Sequence, residues 1–234
     1  GDAQVVGPFC FSECENCFAP NTSSLSFDGV DDYVEFDSQI IPQSGNYAIQ
    51  AWVYADDLEN YRTFLAQGGN SESPFSIGIK DGYVRVGGWS DTVYPINVDS
   101  WVHLTFVRTE NNAYVYVDGE YAAEKGSTLT RPSSGDNMRI GKQWGENGEH
   151  WDGNLDEIAV WNIALTVEQI QDNMYTALSG YEGDLVGYWN FNEGDGATLT
   201  DLSGNENNGT IDGATWSTDV SQPSHDGPEW YVST

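Results

Sequence analysis

Apolar and polar residues alternate along much of this chain with a period of two, the pattern expected of strands with one buried face. The clearest run is residues 47–54, which read YAIQAWVY. Other runs lie at residues 25–27, 33–36, 62–67, 75–80, 83–88, 101–108, 113–117, 120–123, 138–141, 154–161, 185–191 and 208–211. Many short strands separated by turn residues predict an all-β domain.

Two positions in this pattern predict tight hairpins. Asp81-Gly82 separates FSIGIK from YVRVGG, and Asp118-Gly119 separates residues 113–117 from residues 120–123. A two-residue hairpin turn needs a positive φ at both positions, which an Asp-Gly pair tolerates. Each pair of strands is therefore expected to be antiparallel.

One short helix interrupts the strand pattern. Thr166 can cap its first turn, and Gln169 can complete a capping box. Val167, Ile170 and Met174 then fall on one helical face. The helix is expected to cover a patch of the β domain.

The composition agrees with a β domain of this kind. The 234 residues include 26 Gly and 13% aromatic residues, which suits short strands, glycine-rich turns and aromatic packing. We predict an all-β fold, an antiparallel two-sheet β-sandwich (jelly roll) with one short helix, at residues 23–216. Residues 1–22 are expected to be a cysteine-containing cap or linker, and residues 217–234 a linker or docked tail.

The net charge narrows the choice of partners. Eight Lys and Arg residues against 37 Asp and Glu residues give a charge of −29, and such a field repels nucleic acid and anionic membranes. The sequence has no run of apolar residues long enough for a membrane span. We expect a secreted or cell-surface module of a larger multidomain chain, without membrane insertion.

All three cysteines, Cys10, Cys14 and Cys17, lie together in CFSECENC. In an oxidising compartment this grouping indicates one local disulfide and one remaining thiol. The spacing leaves open which two residues pair.

Three segments and a hairpin resemble a known family. The segments are LSFDGVDDYVEF at 25–36, GNLDEIAVWNIALTVEQI at 153–170 and GYWNFNEGDGATLTDLSGNENNG at 187–209, and the hairpin is WVHLTFVR followed by AYVYVDGEYAA. Together they are similar to the laminin-G-like and pentraxin-like domains of the concanavalin A-like lectin and glucanase superfamily. The resemblance implies two curved sheets, frequent Ca²⁺ binding, and recognition rather than catalysis. It also implies paired terminal strands, which would bring residues 28–32 and 201–208 close.

Oxygen-rich side chains indicate a structural Ca²⁺ ion, since calcium takes several oxygen ligands. The pair Asp156-Glu157 interrupts an apolar strand, where one of two adjacent residues must face inward and a buried carboxylate needs a partner. A metal or the backbone N–H groups of a loop would supply one, and plain turn chemistry is the alternative. The candidate metal ligands are Asp28, Asp31, Asp32, Asp156, Asp201, Asn205 and Asn207.

Several loop residues are candidates for binding a ligand. Of nine tryptophans, five fall at strand positions that match the core of the family: Trp52, Trp101, Trp161, Trp189 and Trp216. Aromatic rings in loops can instead stack on a sugar while acid and amide groups take its hydroxyls, or can simply close over the edge of the sandwich. The candidate ligand-binding residues are Trp89, Tyr94, Gln143, Trp144, Glu146, Glu149, Trp151, Asp57 and Asn60.

The second loop departs from the pentraxin pattern. In pentraxins, acid and amide residues of two loops hold a pair of Ca²⁺ ions that bridges the ligand. Gln143 keeps its place in the second loop, whereas Lys142 and Trp144 stand where that pattern has acids. Glu146 and Glu149 are the residues that could compensate.

Catalytic patterns of the superfamily are missing from the sequence. The segment Asn154-Leu-Asp156-Glu157-Ile lacks the Glu-x-Asp-x-x-Glu set of retaining glucanases, and His103 has no Gln two residues before it, as alginate-lyase-like enzymes would require. We therefore expect a non-catalytic, Ca²⁺-binding recognition module that binds carbohydrate. The alternatives are a structural or adhesive module that binds protein or spaces domains, and a polysaccharide-degrading enzyme domain.

Overall fold

A computed structural model describes residues 21–68, 75–87, 92–97, 100–126, 131–133, 135–143 and 149–221. The described part contains sixteen strands and the helix α1 (Val167–Tyr175). The strands are β1 (Ser24–Asp28), β2 (Tyr33–Phe36), β3 (Tyr47–Ala55), β4 (Arg62–Gln67), β5 (Phe75–Lys80), β6 (Tyr83–Val86), β7 (Thr92–Pro95), β8 (Val102–Arg108), β9 (Asn112–Val117), β10 (Glu120–Gly126), β11 (Met138–Ile140), β12 (Asp152–Trp161), β13 (Leu185–Trp189), β14 (Thr198–Leu199), β15 (Gly209–Asp212) and β16 (Thr215–Ser217).

The strands form two eight-stranded sheets. Sheet 1 has the order β10-β9-β8-β3-β12-β1-β16, with β13 also paired to β12, and sheet 2 has the order β14-β15-β2-β11-β4-β5-β6-β7. Every pairing is antiparallel. The predicted two-sheet sandwich with one short helix is confirmed.

The main core lies between the two sheets. Alternate residues of β3, namely Ile49, Ala51 and Val53, belong to it, as the period-two pattern requires. Aromatic rings meet edge to face across it, for example those of Phe36 and Trp189, whose centroids are 5.0 Å apart. This core makes a rigid support for the loops and outer faces.

The local predictions of turns and helix hold. Asp81 and Gly82 have φ values of 51° and 79°, and Asp118 and Gly119 have 49° and 74°, as primed hairpin turns need. The Thr166 side chain accepts from the Gln169 backbone, and the Gln169 side chain accepts from the Thr166 backbone, which completes the capping box. Short-range chemistry therefore accounts for these elements.

Three strands have no counterpart in the alternation pattern. They are β7, β14 and β16, of four, two and three residues, and each lies at an edge of its sheet. A short edge strand buries few side chains, so it leaves little periodicity in the sequence.

The terminal strands pair as expected, but two acidic segments do not meet. β1 pairs with β16 in sheet 1, and β2 pairs with β15 in sheet 2. In the second pair Tyr33 lies opposite Asp212, and Phe36 lies opposite Gly209. The antiparallel register therefore places residues 28–32 and residues 201–208 at opposite ends of the pair. Continued by one residue at each end, it sets Asp32 and Asn208 five residues apart along the strands, about 16 Å. The prediction that they come close was wrong.

The five tryptophans predicted for the core have different environments. Trp161 and Trp189 are buried, whereas Trp101 and Trp216 are only half-buried. Trp52 is buried on the outer side of sheet 1, because it pairs with His103 and Asp156 rather than with core residues. Strand position alone does not distinguish the two faces of a sheet.

The outer faces of the two sheets differ. On sheet 1, α1 packs over a second apolar cluster that includes Val107, Trp161, Ile170 and Tyr188. On sheet 2, the outward positions hold mostly polar side chains. No helix in the described ranges has the length and apolar character required to cross a membrane.

Candidate functional site

Arg62 joins several segments at one end of the sandwich. Its guanidinium donates to Asp57 Oδ2 at 2.7 Å and to Asp152 Oδ2 at 3.0 Å. It also donates to the backbone oxygens of Gly29 and His150. The loop that follows β3, the turn after β1 and the start of β12 are therefore held together by one cation.

A buried ion pair lies beside this junction on the outer side of sheet 2. Arg85 faces outward because its register partner is Gly78, whereas its neighbours Val84 and Val86 belong to the core. Its Nη2 donates to Glu149 Oε2, which also accepts from Thr63 Oγ1 at 3.0 Å. The pair fixes the segment before β12 against the sheet, since a buried charge requires a partner.

Two tyrosine rings complete this surface. Tyr61 lies under Lys80 Nζ at 4.2 Å and beside the Arg85 guanidinium at 5.1 Å. Tyr33 lies under Lys142 Nζ at 4.7 Å and beside Arg139 at 5.2 Å. We call this surface the sheet 2 platform, defined by Tyr33, Glu35, Tyr61, Thr63, Lys80, Arg85, Arg139, Lys142 and Glu149.

The platform concentrates the scarce basic residues of the chain. It and the adjoining Arg62 hold five of the eight Lys and Arg residues. Four of the five are ion-paired with carboxylates: Arg62 with Asp57, Lys80 with Asp81, Arg85 with Glu149, and Arg139 with Glu35. This face is therefore close to neutral on a molecule that is otherwise strongly negative.

The structure brings part of the predicted ligand-binding set to this end of the molecule. Asp57 accepts from Asn60 Nδ2 at 2.8 Å at the rim. Burial by itself would raise the pKa of Asp57. Hydrogen bonds from Asn60, Glu59 and Arg62 together outweigh burial and keep that pKa below its usual value. Gln143 is buried, and Glu149 holds Arg85. Trp89, Trp144 and Glu146 lie outside the described residues.

Two predicted ring residues are placed differently from expectation. Trp151 was predicted as a loop ring open to ligand, but it is fully buried (0% exposed) and packs edge to face on Phe64 in the core. The loop ends just before it, so its side chain enters the sandwich. Tyr94 is partly exposed on the edge strand β7, opposite the core residue Val84, and so leaves the sheet on the side away from the platform.

The predicted metal ligands fall into three separate places. Asp28, Asp31 and Asp32 form one group, in which oxygen atoms of the three carboxylates lie within 4.8 Å of one another. Asp32 is buried (7% exposed), and burial, with the charges of Asp28 and Asp31, raises its pKa. Within the described ranges this is the one group of three such residues.

Asp201 is satisfied by its own loop. Its carboxylate accepts from the backbone N–H groups of Tyr188, Ser203 and Asn207 at 2.9–3.0 Å and from Ser203 Oγ. Asn205 and Asn207 donate through their Nδ2 atoms to backbone oxygens of β13. Turn chemistry, the alternative considered above, thus accounts for these three residues.

Asp156 and Glu157 do not divide between the two sides of β12. The register shifts by one residue between Asp156 and Ala159, and Glu157 has a φ of 49°. This bulge lets both carboxylates leave the strand on the outer side of sheet 1, so the expectation that one must face the core was wrong. Asp156 is fully buried there (0% exposed).

Both ends of the described chain meet at Asp156. Its Oδ2 accepts from Asn21 Nδ2 at 2.7 Å and from the backbone N–H and Oγ of Ser221, and its Oδ1 accepts from the Glu157 N–H. Burial raises the pKa of Asp156 to about 7, in spite of these hydrogen bonds. Backbone and side-chain donors therefore supply the partner that the sequence required.

The pattern of the sequence did not single out Tyr33, Tyr61 or Arg85. A signal was available, because Arg85 is a basic residue at a strand position in a chain with only eight. The tyrosines carry no comparable signal, since their shared position depends on the pairing of β2 with β11 and of β4 with β5.

Comparisons with known proteins agree with this architecture. A family model described as the concanavalin A-like lectin/glucanases superfamily (laminin G type) matches residues 28–171. The search of curated protein sequences finds no match.

Three solved structures share the fold. A candidate carbohydrate-binding protein from Bacteroides ovatus has a TM-score of 0.70 at 22% identity; the match covers 85% of this chain and 60% of that protein. A heptameric pentraxin from Limulus polyphemus scores 0.53 at 18% identity, with 67% and 83% covered. Domain 4 of an extracellular arabinanase from Geobacillus stearothermophilus, in complex with arabinotriose, scores 0.52 at 21% identity, with 64% and 75% covered.

Proposed function

Because this chain belongs to the concanavalin A-like lectin/glucanase superfamily, we propose that it is a non-catalytic module that binds carbohydrate on the sheet 2 platform. The observation that carries the proposal is the pair of rings of Tyr33, in β2, and Tyr61, just before β4, each beside cationic side chains on the outer side of sheet 2. Such rings stack on the C–H face of a sugar, while neighbouring charged and amide groups bind its hydroxyls.

The charge distribution favours a neutral carbohydrate. The net charge of −29 disfavours a sulfated or uronic polymer. The cations of the platform do not reverse this preference, because most of them already hold carboxylates such as Glu35 and Glu149. A neutral sugar can bind these groups without separating the ion pairs.

We also propose a structural Ca²⁺ ion at Asp28, Asp31 and Asp32. Three converging carboxylates fit a hard cation in charge and ligand type. The turn that holds them carries the chain from sheet 1 to sheet 2, so a bound ion would stabilise this crossing.

The proposed setting is a larger secreted or cell-surface protein. The chain spans 60% of the length of the Bacteroides protein, and the domain from Geobacillus is one part of an arabinanase. Both are consistent with a recognition module that brings a longer protein to its target. A module that binds protein, or only spaces domains, is the alternative.

Affinity electrophoresis through gels that contain neutral polysaccharides tests the binding site. The panel should include arabinan together with glucan, xylan and galactan. We expect retardation on at least one polymer, and Tyr61→Ala and Tyr33→Ala should each weaken it about tenfold, equivalent to about 1.4 kcal/mol.

The matched control is Tyr181→Ala, since Tyr181 is 94% exposed on a loop outside the platform. Equal losses in Tyr61→Ala and Tyr181→Ala would place the binding elsewhere, and no retardation on any polymer would favour the adhesive or spacer module. Release of new reducing ends from the retarding polymer would show catalysis and contradict the non-catalytic assignment.

A further inference from the structure

The chain crosses the outer side of sheet 1 once more after β16. In this C-terminal strap, defined as residues 218–221, the backbone oxygen of Asp219 accepts from Ser24 Oγ at 2.5 Å. The Asp219 carboxylate accepts from Asn154 Nδ2 at 3.4 Å and from Trp101 Nε1 at 3.2 Å. Ser24 belongs to β1, Asn154 belongs to β12, and Trp101 directly precedes β8. The strap therefore runs across several strands rather than along one.

The N-terminal end of the described chain lies against this strap. Asn21 Nδ2 donates to Ser221 O at 2.9 Å and to Ser221 Oγ at 3.1 Å. The N-terminal end is also held to the sandwich, since the backbone N–H groups of Thr22 and Ser23 both donate to Asn192 Oδ1. Asn21 and Ser221, which are 200 positions apart in the sequence, are thus in direct contact. The chain therefore enters and leaves the described domain at one point.

Asp156 joins the two ends beneath this contact. Its Oδ2 accepts one hydrogen bond from Asn21 and two from Ser221. Asp156 and Ser221 are 0% and 1% exposed. Removing the donors of a buried carboxylate is costly, so displacement of either end would leave Asp156 with too few donors. Asn21 would likewise lose two of its three acceptor atoms if Ser221 moved away.

The three residues form one network, in which each member contacts the other two. Asp156 is fixed in β12, between β3 and β1 of sheet 1, and the two chain ends close over it. Removing one member of such a network changes the contribution of the others, so their effects on stability are not additive. Neither end can keep its full set of hydrogen bonds when the other end is displaced.

We propose that Asn21, Asp156 and Ser221 form a clasp that closes both ends of the domain in one cooperative step. Displacing either end opens the other, so a change in the chain on one side of the domain reaches the chain on the other side. The clasp lies on the outer side of sheet 1, and the sheet 2 platform lies on the opposite outer side. In a longer protein, the domain would be attached at the clasp, with its platform on the far side from the attachment.

Native-state hydrogen exchange of the full chain, followed by NMR at increasing denaturant, tests the clasp. The reporters are the backbone amides of Ser23 and Ser221, with Leu155 of β12 as the reference for the core. Amides that open in one event share one opening free energy and one dependence on denaturant. We expect Ser23 and Ser221 to agree in both quantities, and to have a smaller opening free energy than Leu155.

Substitutions at each end test the coupling in both directions. Asn21→Ala should speed exchange at Ser221 by at least about tenfold, and Ser221→Ala should do the same at Ser23, because each change removes a hydrogen bond to a buried charge. The matched control is Thr22→Ala, which removes an exposed hydrogen bond from Thr22 Oγ1 to Asn192, outside the clasp. This control should leave exchange at Ser221 close to that of the wild type.

Three results would overturn the proposal. One is a different opening free energy for Ser23 and Ser221 in the wild type, which would show that the ends open separately. Another is agreement of both amides with Leu155, which would show that the ends open only when the whole domain unfolds. The last is unchanged exchange at Ser221 in a folded Asn21→Ala variant. The wild-type measurement decides by itself should a variant fold poorly by circular dichroism.

Discussion

Asp156 and Glu157 show how one inserted residue changes the role of its neighbours. Alternation along β12 predicts that adjacent side chains face opposite sides. The bulge at Glu157 places both carboxylates on the outer side of sheet 1 instead. Asp156 holds both ends of the described part of the chain through Asn21 and Ser221, and Glu157 accepts a hydrogen bond from the Tyr188 hydroxyl. The sequence predicts that this pair is unusual, but the bulge decides what each residue does.

Replacing Glu157 should flatten the dependence of stability on pH. Burial raises its pKa to about 8 from the ordinary 4.5, so the folded state holds the proton more tightly than the unfolded state. This stabilisation is complete below about pH 4.5 and is lost as the pH rises through about 8. Between pH 7 and 9, we expect the free energy of unfolding of the wild type to fall by about 1 kcal/mol more than that of Glu157→Gln.

Denaturant unfolding at several pH values measures this difference. The range above pH 7 keeps His103 out of the comparison, because its contribution changes below its ordinary value of 6.5. Asp81→Asn, at an exposed hairpin turn, controls for the loss of one negative charge. Identical pH profiles for the wild type and Glu157→Gln would show that Glu157 is ionised in the folded protein.

At the level of elements, residues close in sequence account for the hairpins and the helix. Asp81-Gly82 and Asp118-Gly119 adopt the turns that their residue types favour. Prediction from the sequence is weakest for edge strands such as β14, because two residues are too few to show an alternation of apolar and polar side chains. A helix cap is a local device, so its effect on stability can be tested by itself.

Thr166→Ala should destabilise the protein by about 1 kcal/mol, because it removes the side chain that accepts from the N–H group of Gln169. For a protein of this size the melting temperature should fall by roughly 2–4 °C. Thr166→Ser keeps the hydroxyl and should behave like the wild type. Equal melting temperatures for the Ala and Ser variants would show that α1 depends on its packing alone.

For the whole molecule, the crossing between the two sheets is the point where calcium would act. The turn between β1 and β2 carries Asp28, Asp31 and Asp32, and Arg62 holds it to the loop after β3. The seven predicted metal ligands lie in three places, because the strand register separates them. Any stabilisation of the fold by calcium should therefore depend on Asp28, Asp31 and Asp32 and not on Asp201.

Calcium should raise the melting temperature of the protein, and a chelator should reverse the change. At a concentration of about 100 times the dissociation constant, the gain is about 2.7 kcal/mol. Asp31→Asn should abolish the response with little effect on the metal-free protein, since Asp31 is exposed. Asp201→Asn should lower stability but keep the response. A melting temperature that does not change with calcium would refute the proposed site.

The sequence by itself determined the period-two strands, the two Asp-Gly turns, the capped helix and the family to which the chain belongs. These features depend on neighbouring residues or on ordered segments. The tertiary structure alone decided the sheet 2 platform, the bulge at Glu157 and the burial of Trp151. Each depends on which strands pair and in what register, and residues such as Tyr33 and Tyr61 come together only when distant strands meet. Alternation shows that a side chain leaves a strand on one side, but packing decides whether that side is core, helix or surface.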